Sequence, residues 1–573
     1  MAERGQGDPL GGAVDRRVRA DRMPGDPAEL RGLGWWRDRT VVDDFLEHSA
    51  RQPGKTAVVS RRGDRNAESF TYREFAGIVD RFASVLLELG VRPGEAVSFQ
   101  LPNWWQFAAV HLACGRIGAV SNPVLPILRS REVAFICDRL RSRVLITPGT
   151  FRGHDYAAMA AGIAASVGTL EHVLVAGEAP EGLPGTRRLE ELAAAVAVAP
   201  NLDALRPSPD DPAQVGFTSG TTGEPKGVVH TWNTVYAGMR PSYEAARLTP
   251  DDVLLAFSPL GHTVGFYYGV TMPFLYGMTV VYQDTWDPAA ALELIAEHGV
   301  TWTMAAPTFL ADLCAAGSAR PVRSLSRISC AGAPIPPDLV GRVRERLGAR
   351  LLAVWGMTEV GALSTTRLDD DPLRAAESDG GPMPWNELKI ADKTGRELPH
   401  GQEGRLLARG ASLLVGYHGR RDLLDAAIDA DGWFDTGDLA RMDDDGYIRI
   451  CGRTKDIVVR GGENVPVVEV EGELVRHPAI RDVAVVGAPD PRLGERAVAV
   501  VVPADPRQPP DLRDLQAHLR AAGMATQFWP EHLVLADSLP RTATGKVQKF
   551  LLRADVAGVF AGDTPKTTIL EPK

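Results

Sequence analysis

The chain has 573 residues, 44% of them apolar, and a formal net charge of −10. That length suits two or more domains and that composition suits large cores, which excludes wholesale disorder. Acidic and basic residues are interspersed without the basic stripe of a nucleic-acid binder, and no apolar run reaches the roughly 20 residues of a membrane span.

The first residues, MAERGQGDPLGGAVDRRVRADRMPGDPAEL, hold no apolar stretch of the kind a secretory signal carries. Their Gly, Pro and charge predict a disordered arm over 1–33. Residues 71–90, TYREFAGIVDRFASVLLELG, predict a helix with Phe75, Ile78, Val79, Phe82, Val85, Leu86 and Leu89 on one face. Thr71 and Glu74 form its capping box and Gly90 stops it. AVSFQL follows as a strand, HLACGRIGAV as a helix and VLITP, from 144, as a strand. The alternation continues through TVVYQ (279–283), a helix around ALELIAEHG (291–299), TWTMAA (301–306) and RISCAG (327–332). Such trading of strand and helix predicts α/β layers with largely parallel sheets.

After about 380 the texture changes. Short apolar runs separated by Gly and Asp (GRLLARG, DDDGYIRICGR, KDIVVRGG) predict hairpin-rich β structure. The final stretch regains alternation, with a VEVEGEL helix, strands DVAVVGA and RAVAVVVP, and a helix in DLRDLQAHLRAAG. The expected organisation beyond the arm is α/β: a large domain of layered subdomains with a β-rich subdomain over 34–452, then a small α+β domain over 453–573. Cys114, Cys137, Cys314, Cys330 and Cys451 show no CxxC spacing. They argue against a zinc site or a disulfide framework and for a reducing, cytoplasmic setting. Abundant Ala, Arg and Gly point to a GC-rich bacterial genome.

One stretch concentrates chemistry. FTSGTTGEPKGVVHT, 217–231, follows a Pro/Asp-rich linker, RPSPDDPAQ (206–214). Gly220, Gly223 and Gly227 permit positive φ and close approach to a ligand. Backbone N–H groups of such a loop can nest phosphate oxygens, with hydroxyls from Thr218, Ser219, Thr221 and Thr222 and a charge from Lys226. A polyphosphate is the natural guest. Read alone, the stretch is equally a flexible turn with a solvated lysine. It is not a Walker A loop, because Pro225 precedes Lys226 and Gly227 follows it.

Three further segments follow in order: WGMTEVG (355–361), GWFDTGDLARMDDDGYIRICGRTKDIVVRGGENV (432–465) and PRTATGKVQK (540–549). With SGTTGEPKG (219–227), they make the chain resemble the adenylate-forming superfamily of acyl-CoA synthetases, adenylation domains and beetle luciferases, over roughly residues 35–555. The resemblance implies that a carboxylate and ATP give an acyl-adenylate and pyrophosphate, and that a thiol then takes the acyl group as a thioester. ATP, Mg2+ and coenzyme A are the implied cofactors. Residues 218–223 and Lys226 are implied to hold the β- and γ-phosphates, and Glu359 with Thr221 the magnesium ion. The adenine is expected between Trp355 and the segment Ala331, Gly332, Ala333, Pro334, with Gly356, Met357 and Thr358 completing the nucleotide site. Asp438 resembles the acid that accepts both ribose hydroxyls, while its neighbour Asp435 reads as a turn-former. Arg453 looks like the arginine reaching ribose or phosphates; its alternative is an ion pair at a strand edge.

The resemblance also implies that Lys546 bridges the attacking carboxylate and the α-phosphate, while Lys549 is ordinary. Lys455 falls at the hinge of a C-terminal domain that takes two orientations. One brings Lys546 to adenylation, and the other presents Arg460, Gly461, Gly462, Glu463 and Asn464 to the pantetheine arm. His262 matches the gate beside the carboxylate. Thr263, Val264, Phe266, Tyr267, Thr308, Gly356 and Met357 are expected to line the acyl pocket. None is charged, which argues against amino-acid substrates and for an apolar acid.

The chain is similar in look to cyclohexanecarboxylate-type and other alicyclic or aryl acyl-CoA ligases, including those activating bulky diterpenoid acids in platensimycin-type pathways. A medium-chain fatty acid is a further expected substrate. The acceptor is expected to be CoA, the alternative being a carrier protein, and a homodimer accords with the family. Oxidative, luciferase-like chemistry would need a luciferin, and the terminal EPK is no peroxisomal address. A non-catalytic nucleotide binder would have degraded motifs, whereas Lys226, Glu359, Asp438 and Lys546 are all present.

Overall fold

The computed structural model describes residues 27–573 apart from 64, 66, 179–182, 219–224, 317–321, 455–457, 461–462, 491, 542–545, 558, 560–567 and 570–573. The fold is mixed α/β and packs into two compact units. The first takes Met1–Ala376, Pro382–Glu387 and Arg409–Phe434; the second takes Glu377–Gly381, Leu388–Ala408 and Asp435–Lys573. The second unit thus first takes chain near 380, where the sequence changes texture, whereas the sequence reading starts its small domain at 453.

Two large sheets dominate the first unit. One runs in the order Gly416–Tyr417, Lys226–Thr231, Pro212–Thr218, Val120–Pro123, Ala96–Phe99, Val144–Pro148, His172–Ala176, Thr186–Arg188. The other includes, in order, Gly361–Thr365, Arg350–Met357, Arg327–Cys330, Trp302–Ala305, Val253–Ala256, Thr279–Gln283, Thr56–Arg61 and Glu68–Thr71. The strands from 253 to 353 pair in parallel. They are buried on both faces, which is why TVVYQ and RISC read as continuous apolar runs instead of alternating ones.

The helix Tyr72–Glu88 forms as its sequence predicts. Thr71 and Glu74 close the capping box, and Phe75, Val79, Phe82, Val85 and Leu86 enter the core. Ile78 is only half-buried.

Two sequence expectations need correction. Residues 27–33 are not a disordered extension of the arm: Pro27–Gly32 is helical, with Leu30 only 2% exposed. Just after this helix, Trp36 pins the chain by donating Nε1–H to the Ala411 carbonyl at 3.0 Å, and Trp35 stacks on Trp385. Three apolar anchors thereby outweigh the Gly/Pro composition; residues 1–26 lie outside the described residues. HLACGRIGAV is helical only in its first half. The helix runs Trp105–Arg116, Gly118 turns the chain at φ 70°, and Val120–Pro123 is already strand.

The second unit holds most of a four-stranded sheet ordered Asn386–Ala391, Gly404–Gly410, Phe434–Met442, Ile448–Arg453. It also holds a sheet whose long pair, Ile480–Asp490 and Gly494–Pro503, carries apolar clusters on both faces. The five cysteines are buried, and none is joined in a disulfide. Among the described residues no helix is long and apolar enough to cross a membrane.

Candidate active site

In the first unit, four parallel strands deliver the candidate residues to one edge of a sheet. Beyond Val253–Ala256 come His262, Thr263 and Val264. Beyond Trp302–Ala305 comes Thr308, beyond Arg327–Cys330 come Gly332, Ala333 and Pro334, and at the end of Arg350–Met357 come Trp355, Gly356 and Met357. The carboxyl edge of parallel strands is where open α/β sheets bind ligands. These residues are half-buried or exposed, in contrast to the strands that carry them. The segments touch where Thr263 donates its hydroxyl to that of Thr358, at 2.9 Å.

Sterics explain the glycines around His262. A Cβ on Gly265 would lie 2.2 Å from the Pro259 carbonyl oxygen, and one on Gly261 2.9 Å from that of Val124. The chain doubles back tightly enough here to enter a π-helical turn over Gly265–Thr271. Val264 N–H donates to His262 Nδ1 at 3.3 Å, so the neutral ring carries its proton on Nε2. Phe266 and Tyr267 are not brought to the edge with their neighbours. Both are buried in the core, Phe266 edge-on to His111 and Tyr267 against Gly238 and Gly361.

The strands Pro212–Thr218 and Lys226–Thr231 pair antiparallel, with Thr218 opposite Lys226, so the two flanks of the phosphate-type stretch stand side by side. Ser219, Gly220, Thr221, Thr222 and Gly223 lie outside the described residues. Gly227 is glycine for packing: a Cβ there would stand 3.0 Å from Val215 Cγ1 and 3.1 Å from the Phe217 ring. Lys226 Nζ lies 5.4 Å from the centre of the Tyr417 ring.

Glu359 is 8% exposed, so it is not an ordinary surface glutamate. The Tyr417 hydroxyl donates to its Oε1 at 3.2 Å. Burial first, and then this carboxylate, push the Tyr417 phenol far above its ordinary pKa, so it remains a donor. Tyr417 reaches the site because Gly416–Tyr417 pairs with Lys226–Thr231, Val228 opposite Tyr417. His230, fully buried on the same strand, contacts the Thr358 carbonyl. Sequence reading singled out neither residue. Tyr417 stands 58 positions from Glu359, and only the strand register joins them.

In the second unit, Asp438 and Arg453 face each other across antiparallel strands, with Arg453 Nε 2.8 Å from Asp438 Oδ1. Asp438 is buried while Arg453 is exposed at about a third. Asp435 forms the expected turn, accepting from Gly437 N–H at 2.9 Å, and pairs with Arg405. Asp379 lies on the neighbouring segment, accepts from Ile450 N–H, and has its carboxyl pushed up by burial. Arg460 donates to Glu531 at 2.6 Å. Glu463 and Asn464 lie on the strand Glu463–Val465, while Lys455, Gly461 and Gly462 lie outside the described residues. Lys546 is exposed, and Lys549 is an ordinary ion-pair partner of Glu471 at 2.7 Å.

Residues 45–418 match the model of the AMP-binding enzyme family, and residues 469–546 match that of the AMP-binding enzyme C-terminal domain. The chain belongs to the AMP-binding enzymes. It is 36% identical to a medium-chain fatty-acid–CoA ligase of Escherichia coli K12 over 92% of each chain. It is also 35% identical to a salicyl-AMP ligase/salicyl-S-ArCP synthetase of Mycobacterium tuberculosis, over 98% of this chain and 96% of that one. The ATP-bound MatB structure from Rhodopseudomonas palustris superposes with a TM-score of 0.81 at 27% identity, covering 91% of this chain and all of that one. As an AMP-binding enzyme of this family, the protein is an ATP-dependent acid–thiol ligase that adenylates an acyl or aryl carboxylate.

Proposed function

We propose that the enzyme is an acyl-CoA synthetase for an acid with an uncharged tail, alicyclic, aryl or terpenoid, or a medium-chain fatty acid. The observation carrying this is the convergence of His262, Thr263, Val264, Thr308 and Trp355 to Thr358 on one strand-end edge, tied by the Thr263–Thr358 hydrogen bond. Uncharged side chains then meet the acid's tail while the neighbouring motif meets the nucleotide. Lys226 and the 218–223 loop hold the β- and γ-phosphates, and Trp355 and the 331–334 segment flank the adenine. Asp438 accepts the ribose hydroxyls, with Arg453 already beside it.

Glu359 fits a magnesium ion shared with ATP. It is a buried carboxylate that accepts from the Tyr417 hydroxyl, and among the described residues no three His, Cys, Asp or Glu side chains gather into a cage. Magnesium is ordinarily held by one or two carboxylates plus substrate phosphates and water. Bound there, the ion would neutralise phosphate charge. Lys546 supplies a further positive charge, at the attacking carboxylate and α-phosphate, by position and not by proton transfer.

The 453–573 domain pivots near Lys455, so that Lys546 serves adenylation and Arg460 to Asn464 serve the thiol step. A second reading, loading of the acyl group onto a carrier protein, is favoured by the relative named for that acceptor, matched over 98% of this chain. The test is acid-dependent ATP–pyrophosphate exchange across fatty, aryl and polycyclic acids, followed by thioester formation with CoA and, separately, with a phosphopantetheinylated carrier. Thioester on CoA alone supports the first reading; thioester on the carrier alone replaces it with the second. Failure of every acid to exchange would sink both.

A further inference from the structure

We propose that His230 is a positioning residue for adenylation, fixing the backbone that carries Thr358 and Glu359; this rests on the adenylation reading of the site. His230 is 0% exposed on the strand Lys226–Thr231. Its Nε2 lies 2.7 Å from the Thr358 carbonyl oxygen, and its Nδ1 lies 3.0 Å from Thr234 Oγ1. A carbonyl oxygen only accepts, so Nε2 carries the proton and donates. Thr234 is itself fixed: it closes the capping box at the start of the helix Trp232–Ala245 with Thr231. The imidazole therefore stands on a rigid base and reaches across to the motif.

Thr358 is held from two sides, its carbonyl by His230 and its hydroxyl by Thr263. The next residue is Glu359, whose carbonyl accepts from Leu414 N–H at 2.7 Å and whose carboxylate accepts from Tyr417. The strand bearing His230 begins at Lys226, so one element carries the lysine and, through His230, steadies the carboxylate that the adenylation reading assigns to phosphates and magnesium. An apolar side chain at 230 would leave the Thr358 carbonyl without this donor. That is an asymmetry a buried polar group tolerates poorly.

The test compares His230→Leu with His230→Gln, whose amide can replace the Nε2–H donor. The affinity for ATP with and without Mg2+ is measured by calorimetry, together with acid-dependent exchange. His230→Leu is expected to weaken Mg2+–ATP binding about tenfold, equal to about 1.4 kcal/mol, and to raise the Mg2+ needed for half-maximal exchange similarly. His230→Gln is expected to stay within about threefold of the unmodified protein, a difference below 1 kcal/mol. A purely structural histidine would lower the melting temperature while leaving affinity and Mg2+ dependence of the folded fraction unchanged, and that result overturns the proposal. If His230→Leu does not fold, His230→Asn, too short to reach the carbonyl, takes its place: weakened binding supports the proposal and unchanged binding overturns it. Absence of any exchange by the unmodified protein would instead count against the adenylation reading.

Discussion

Replacing Gly356 by alanine tests the geometry of the nucleotide motif directly. Gly356 lies where the pairing of Arg350–Met357 with Gly361–Thr365 slips register, between Trp355 and Gly356. A Cβ there would stand 2.1 Å from the Gly361 carbonyl oxygen, 2.8 Å from Ala362 Cα and 2.9 Å from the Gly361 carbonyl carbon. Optimal non-bonded separations are about 3.5 Å, so the overlap exceeds about 1 Å and is with backbone. The partner strand has no room to retreat. Gly361 holds φ at +66°, and even a methyl on it would lie 3.2 Å from Gly238 Cα and 3.4 Å from the Tyr267 ring. The strain must therefore move Gly356 itself, and with it Met357, Thr358 and Glu359. Overpacking of this kind costs about 1–3 kcal/mol. If that cost falls on the reactive arrangement, exchange slows about 5- to 150-fold. The control is Gly341→Ala in the helix Pro337–Leu347, where a Cβ meets nothing within 4 Å. It should stabilise by about 0.5–1 kcal/mol and leave exchange untouched. Urea unfolding and pyrophosphate exchange read both variants. A Gly356→Ala protein with unmodified stability and rate would refute the reasoning.

Three other substitutions probe separate links. Lys546→Ala should slow acyl-adenylate formation at least about 100-fold while leaving thioester formation from supplied acyl-adenylate intact; equal loss in both half-reactions would contradict its role. Tyr417→Phe keeps the ring beside Lys226 but removes the donor to Glu359, so the Mg2+ needed for half-maximal exchange should rise about tenfold, with unchanged circular dichroism. His111 is buried against Phe266 and Trp232, and burial pushes its pKa down to about 3. In the unfolded chain it titrates near 6.5, so as pH falls from about 6.5 to about 3 the unfolded state takes the proton first and stability drops. His111→Gln should flatten urea stability against pH by up to about 1.4 kcal/mol per pH unit across that window, and parallel curves would exclude His111 as the source.

What the sequence made legible was local or contiguous. The capping box at Thr71 and Glu74, the buried parallel strands and the Asp435 turn depend on neighbours within a few positions, and each is found as read. The 217–231 and 355–361 stretches stood out because each is written in one short segment, whereas the pairing of Asp438 with Arg453 comes from strand register and was not read. Composition misses the helix at 27–32 because it averages over Leu30, which clusters with Ala237 and Ala411 more than 200 residues away in sequence. Nothing in the sequence around Phe266 and Tyr267 announces that both are buried, 1% exposed each. In the π-helical turn, the residues that follow the half-buried His262 and Thr263 rotate into the core.

The two halves of the site in the first unit are built to different stiffness. In the nucleotide motif, three successive carbonyls are taken by groups from two distant segments: Thr358 by His230 Nε2 on the strand Lys226–Thr231, and Glu359 and Val360 by Leu414 N–H and the Ser412 hydroxyl of one loop. Each bond crosses between distant parts of the chain, so moving any one of these residues would break a buried hydrogen bond. The acyl-side segment is anchored through backbone, by glycines that admit no Cβ and by the turn after Pro259, while the side chains of His262, Thr263 and Val264 stay half-exposed. Replacing the His262 or Val264 side chain is expected to change shape and polarity with little effect on the fold, whereas replacing Thr263 removes the bond to Thr358, and replacement in the motif disturbs the fold as well. The Thr263 side chain is bonded into the motif, so on the proposed reading His262, Val264 and Thr308 are the positions at which a change of acid specificity is expected to leave ATP binding least affected. The Thr263–Thr358 hydrogen bond is where the two halves meet.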